Sequence, residues 1–238
     1  MIKVFVAVFC LVAFCFCSRK ETEPSVYVPP VTTPPSSNAG KTFLALGDSY
    51  TIGQSVAEAE RFPAQTVSLL KGQGVAIANP LYIAQTGWTT ANLQTAIVSA
   101  NPSSTYDVVT LLIGVNDQYQ RMDTTGYAAR FTTLLEKAIQ LAQGRKSRVF
   151  VLSIPDYSVT PFVPAPDKPR VRMEIDLFNG INRRITMAYE VSYTDITPSS
   201  RQAETNASLI ANDNLHPSGQ EYKKWAEMLA PKIKAALL

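Results

Sequence analysis

The sequence predicts an α/β fold in which a parallel sheet is covered by helices on both faces. Three observations carry that expectation. Short apolar runs rich in Val, Ile and Leu end at glycine or at polar turns, amphipathic stretches lie between them, and the two kinds alternate from residue 42 onward. Strands buried on both faces read as continuous apolar runs, which is the form these take.

Thr42-Phe43-Leu44-Ala45-Leu46, closed by Gly47, suits a first strand. Residues 62–70 have a helical look, with Phe62, Val67, Leu69 and Leu70 as the apolar positions. Residues 75–78 (Val-Ala-Ile-Ala) read as the second strand and residues 89–99 as a short helix. Asp107-Val108-Val109-Thr110-Leu111-Leu112-Ile113-Gly114 is the clearest strand, β-branched and ending in glycine. Residues 127–141 place Phe131, Leu134, Leu135, Ala138 and Leu141 in the i, i+3, i+4 pattern of an amphipathic helix. A buried strand over 148–154, a helix over 173–189, a last strand over 191–196 and a closing helix over 219–237 complete the alternation.

At 238 residues and 46% hydrophobic, the chain has enough apolar content for a sizeable core, most economically in one domain over 41–238. The net charge of +3 is mild and the basic residues are spread along the chain. Neither tryptophan lies in a basic cluster, so no nucleic-acid partner is expected. All three cysteines (Cys10, Cys15 and Cys17) fall near the N-terminus, so none supplies a disulfide framework, a metal cluster or a catalytic thiol to that domain.

Met1-Ile2-Lys3 followed by an apolar run to Phe16 has the form of a secretory signal over 1–17, shorter than the ~20 residues that span a bilayer. A buried strand or an uncleaved anchor is the alternative. Cys17-Ser18 resembles a bacterial lipoprotein processing site, although Phe14-Cys15-Phe16 lacks the small residues usual before the lipidated cysteine. Secretion across the inner membrane and a cell-envelope lipid anchor at Cys17 are therefore expected, with no other membrane contact. Residues 18–40 hold Pro24, Pro29, Pro30, Pro34 and Pro35 and read as an extended tether.

In parallel sheets, ligands bind beyond the carboxyl ends of the strands. The residues with chemistry to offer fall there: Ser49 after the first strand, Gly87-Trp88 after the second, Asn116 after the third, and Asp213 with His216 before the last helix. A serine hydroxyl needs a base to become a nucleophile, and His216 is the chain's single histidine. Asp213, three residues upstream, is placed to orient an imidazole. Taken singly, each has an ordinary structural explanation: an N-cap serine, a turn glycine, an Asx turn, a capping histidine. Their common edge is what joins them. Trp88, Tyr157 and the proline-rich residues 155–169 either border a substrate or serve as core and surface loop, and Asp48 reads as a cap.

Gly47-Asp48-Ser49-Tyr50, Gly87, Gly114-Val115-Asn116-Asp117 and Asp213-Asn214-Leu215-His216-Pro217 together resemble the four blocks of the SGNH (GDSL-type) hydrolases, with lysophospholipase-like and acetylesterase-like members. The resemblance implies a three-layer α/β/α sandwich, a flavodoxin-like arrangement around a parallel sheet. It implies Ser49 as nucleophile, His216 as base then acid, Asp213 as its partner, and an oxyanion hole from the Ser49 and Gly87 amides with the Asn116 side chain. It implies no cofactor or metal. The expected substrate is a carboxylic ester: short-chain acyl, O-acetylated carbohydrate or lysophospholipid. The rival readings are a non-catalytic glycan- or lipid-binding lipoprotein and an O-acetyltransferase on the same scaffold. One departure is Asn214, where the family commonly has glycine.

Overall fold

The computed structural model describes residues 40–238. The expected leader, Cys17 and the tether before Gly40 lie outside the described residues. Strand β1 (Phe43–Gly47) is followed by the one-turn helix α1 (Ser49–Ile52) and by α2 (Phe62–Gly72). Then come β2 (Leu81–Ala84), α3 (Thr90–Ala100) and β3 (Val108–Leu112). The short α4 (Val115–Tyr119) and long α5 (Thr124–Leu141) precede β4 (Val149–Leu152). Helix α6 (Lys168–Ala188) leads to β5 (Ser192–Thr194), and α7 (Thr197–Ser200) and α8 (Gly219–Leu237) follow.

The five strands form one parallel sheet in the order β2-β1-β3-β4-β5. The step from β1 to β2 crosses the sheet one way and every later step goes the other. Right-handed crossovers therefore place α2 on one face and α3, α5 and α6 on the other. The packing agrees: α2 lies against α8, α3 against α5, and α5 against α6. This is the three-layer α/β/α sandwich. All residues of β1, β3 and β4 are buried, because helices cover both faces of the central strands.

The second strand is not where the apolar run 75–78 suggests. Ile77 makes a single parallel bridge to Lys41, and the Lys41 and Ala78 amides complete that short contact. Pro80 follows, without an N–H to donate, and sustained pairing with β1 begins at Leu81, opposite Leu44. Helix α6 also starts earlier than its apolar periodicity, at Lys168, with Pro169 in the first turn where a missing N–H costs nothing.

Between α2 and α8, Phe62, Tyr222 and Trp225 form a buried aromatic cluster with ring centroids 5.0–6.5 Å apart. Burying each such ring contributes about 1.5–3 kcal/mol. Tyr50 extends the cluster toward the sheet edge, 6.5 Å from Trp225 and 5.4 Å from the His216 ring. The core thus reaches the back of the histidine. Among the described residues, no helix is long and apolar enough to cross a membrane.

Candidate active site

The chain leaves the neighbouring strands β1 and β3 in opposite directions, which opens a crevice at their carboxyl ends. Ser49 sits at the β1 side of that crevice. Gly47 makes the turn possible, because a Cβ there would overlap the Thr51 side chain and the Leu112 carbonyl. Asp48 caps α1 by accepting the Tyr50 amide at 3.0 Å, as its cap reading anticipates. Gly53, in the left-handed region, closes the turn by donating to the Ser49 carbonyl. Ser49 is thereby held at a helix start, where backbone N–H groups have no intrahelical acceptor.

Asp48 is fully buried and its second carboxylate oxygen lacks a hydrogen-bond partner. Burial pushes its carboxyl up to about 8; the Tyr50 amide opposes the rise and the charge of Asp117 adds to it. A proton on Asp48 is the physical answer to an oxygen that cannot be solvated.

His216 is 7% exposed, and its Nδ1 lies 2.6 Å from Asp213 Oδ2. The other Asp213 oxygen accepts the backbone amides of Leu215 and His216 at 3.0 and 2.9 Å. Burial raises the Asp213 carboxyl, but hydrogen bonds from the Ser55 hydroxyl, the His216 amide and ring, and the Leu215 amide outweigh it and hold it at about 2. A carboxylate only accepts, so the proton of the imidazole belongs on Nδ1 and the lone pair on Nε2. Asn214 has φ of +63°, the left-handed region that glycine enters freely and asparagine tolerates. That conformation explains why asparagine can stand at a position where the family commonly has glycine.

Gly87 follows β2 with φ of +83°, and a Cβ on it would meet no atom within 4 Å. Asn116 lies in the first turn of α4, where its side-chain amide donates to the Trp88 carbonyl at 2.9 Å, one of its two N–H groups remaining for a ligand. The turn before it needs Gly114, whose φ is +125° and where a Cβ would overlap the Tyr127 hydroxyl. Asp117 then ties the two segments together. Its carboxylate accepts the Thr90 amide at 2.8 Å and the Thr90 hydroxyl at 2.5 Å, and Arg130 pairs with it at 3.4 Å.

A cleft of about 170 Å³ brings Ser49, Gly87, Asn116 and His216 to one surface. Asp213 stands behind the imidazole and does not line the cleft. Tyr157 is buried where it lines the cleft, and Phe162 is the other residue of the proline-rich segment 155–169 that does so. Trp88 packs on the core, so its carbonyl rather than its ring serves the site. Sequence reasoning missed Tyr119, Leu215 and Thr86 as lining residues, and Ser55 as a partner of Asp213. Ser55 is 158 positions from Asp213 and carries no local motif, so nothing in the sequence marks it. Among the described residues, no group of three or more His, Cys, Asp or Glu side chains is arranged to hold a metal ion.

Residues 45–224 match the GDSL-like lipase/acylhydrolase family. No curated protein sequence matches the chain significantly. Solved structures with the same fold include the acetylxylan esterase Axe2 from Geobacillus stearothermophilus, 19% identical with a TM-score of 0.60 over 82% of this chain and 94% of that one. A lipase/acylhydrolase from Enterococcus faecalis is 17% identical, with a TM-score of 0.60 over 82% of this chain and 96% of that one. TesA is 17% identical, with a TM-score of 0.61 over 83% of this chain and all of the other. With the family match spanning most of the described chain, the protein belongs to the GDSL-like lipase/acylhydrolase family and is a hydrolase of carboxylic esters.

Proposed function

We propose that the protein is a serine esterase that works through an acyl-enzyme on Ser49. The observation that carries this reading is the 2.6 Å contact between Asp213 and His216, on a histidine that shares one cleft with Ser49. His216 Nε2 takes the Ser49 hydroxyl proton as Oγ attacks the ester carbonyl carbon. The carbonyl electron pair moves to oxygen, where the amides of Ser49 and Gly87 and the Asn116 side chain stabilise the charge. The pair returns, the C–O bond to the alcohol breaks, and the departing oxygen receives the proton from His216. Water then repeats the sequence on the acyl-enzyme, its proton passing through His216 back to Ser49 Oγ, and the carboxylic acid leaves.

Candidate substrates are short-chain acyl esters, O-acetylated carbohydrates and lysophospholipids. The cleft is open and of modest size, which favours small acyl groups over emulsified triglyceride. The similarity to the Axe2 fold adds reason to include acetylated carbohydrates among the substrates tried. The full chain is to be assayed on p-nitrophenyl esters from acetate to decanoate beside Ser49→Ala, with a fluorophosphonate probe. Turnover that vanishes in the variant and a probe adduct on Ser49 are the expected results. No turnover on any ester and no labelling of Ser49 would overturn the reading.

We also propose export and anchoring through a lipidated Cys17, from the lipoprotein-like Cys17-Ser18 boundary and the proline-rich residues after it. Cys17→Ala should move the protein from the membrane fraction to the soluble fraction and abolish labelling by radioactive palmitate. An unchanged distribution would refute the anchor.

A further inference from the structure

Tyr119 and Phe162 stand side by side at the mouth of the cleft although they are 57% and 45% exposed. Their ring centroids are 6.2 Å apart, and the buried Tyr157 lies 6.5 and 6.4 Å from them. The planes are inclined to one another by 47–65°, so the three rings form a cup rather than a stack. Adjacent exposed aromatics at a cleft are costly to leave in water without a partner.

The buried ring of the cup, Tyr157, is held in place before anything enters it. The Tyr157 hydroxyl donates to Gln118 Oε1 at 2.9 Å, and Gln118 Nε2 donates to Glu174 at 2.6 Å. The Thr160 hydroxyl donates to the Tyr157 carbonyl, and Asp156, held by Arg201, accepts the Ser158 amide. A ring already ordered in this way loses little entropy on binding.

Its position selects the part of the ester it meets. The Phe162 amide donates to the Asn214 carbonyl at 3.2 Å, which fastens the cup to the loop carrying His216. Leu215, next to the histidine, lines the same wall. Gly87 lies across β1 and β3, beyond the opposite side of the crevice. The leaving oxygen must take its proton from His216, so the alcohol departs on the histidine's side.

We propose that Tyr119, Tyr157 and Phe162 form a leaving-group subsite for a ring-bearing alcohol, aryl or pyranosyl, whose flat C–H or π face meets the cup. The assignment rests on the serine-esterase reading of Ser49. Each ring removed should lower kcat/KM on such esters about 2- to 10-fold.

The test compares the full chain with Tyr119→Ala, Phe162→Ala and the shape-preserving Phe162→Leu. One set of substrates keeps the acetyl group and varies the alcohol: phenyl acetate, a mono-O-acetylated methyl xyloside and n-hexyl acetate. The other keeps phenol and lengthens the acyl group. The expected result is a loss on the ring alcohols several-fold greater than on hexyl acetate, at every acyl length. Loss confined to phenyl acetate identifies aryl alcohols as the source, and loss on the xyloside identifies sugars. Equal losses on linear and ring alcohols, or a loss that grows with acyl length, would overturn the subsite alone. A wild-type chain that hydrolyses none of these esters overturns the subsite together with the esterase reading.

Discussion

The Ser55 hydroxyl donates to Asp213 Oδ2 at 2.6 Å, the same oxygen that receives the His216 ring. Two residues that converge on one carboxylate oxygen therefore fix its position and its charge. Ser55 reaches it from a left-handed backbone conformation, φ +68°, in the loop after α1. The acid end of the Asp213–His216 pair is thus anchored to the segment that carries Ser49.

Ser55→Ala removes one of the hydrogen bonds that hold Asp213 at about 2 and lets its carboxyl rise toward the ordinary range. The expected loss in kcat is roughly 2- to 10-fold, the worth of one such bond. Asp213→Asn removes the carboxylate itself and should cost about a thousand-fold or more. Steady-state kinetics on one p-nitrophenyl ester ranks the two variants; equal losses would contradict the supporting role given to Ser55.

Asp48 makes stability depend on pH between about 4 and 8. Its folded value of about 8 lies above the ordinary 3.8, so the native state holds a proton that the unfolded chain gives up. That contribution is fully present below about pH 4 and is lost as pH rises through 8, at up to ~1.4 kcal/mol per pH unit. Asp48→Asn keeps the shape and the acceptor for Tyr50 without a titrating group. Its melting temperature relative to wild type should climb between pH 5 and pH 8, as followed by circular dichroism. A constant difference would mean that Asp48 does not carry the proton.

Asn116 supplies the one side-chain donor in the proposed oxyanion hole. Asn116→Ala should lower kcat about 100- to 1,000-fold with a much smaller effect on KM, because the charge it meets develops in the transition state. A defect that appears mainly in KM would assign Asn116 to ground-state binding instead.

Arg130 acts on the site through Asp117. Removing it with Arg130→Ala leaves Asp117, a fully buried carboxylate, with the two Thr90 hydrogen bonds and no cation. A stability loss of about 1–3 kcal/mol is expected in urea unfolding. Since Asp117 links the Gly87 and Asn116 segments, kcat should fall more than KM rises, and Arg130→Lys should recover part of both. Normal kcat in a destabilised Arg130→Ala protein would reduce the clamp to a structural tie.

The alternation of apolar runs and amphipathic stretches made the layered parallel fold legible, because covered strands must be apolar throughout and their crossover helices must be two-faced. The second strand was misplaced for a physical reason: residues 75–78 are as apolar as a strand, but Pro80 interrupts the ladder and pairing resumes only at Leu81. Residue type and order also singled out Ser49, Gly87, Asn116, Asp213 and His216, since a lone imidazole, a carboxylate three residues away and glycines at strand ends are local signals. The cleft that Ser49, Gly87, Asn116 and His216 share, and the Asp213–His216 contact behind it, are properties of the folded chain. The tertiary structure alone decided the rest: that Ser55 braces Asp213, that Arg130 and Thr90 secure Asp117, and that Tyr119 and Phe162 wall the cleft beside Tyr157. Those partners lie far apart along the chain and are joined by packing, and packing distances are set by the whole sheet and its helices rather than by any stretch of sequence.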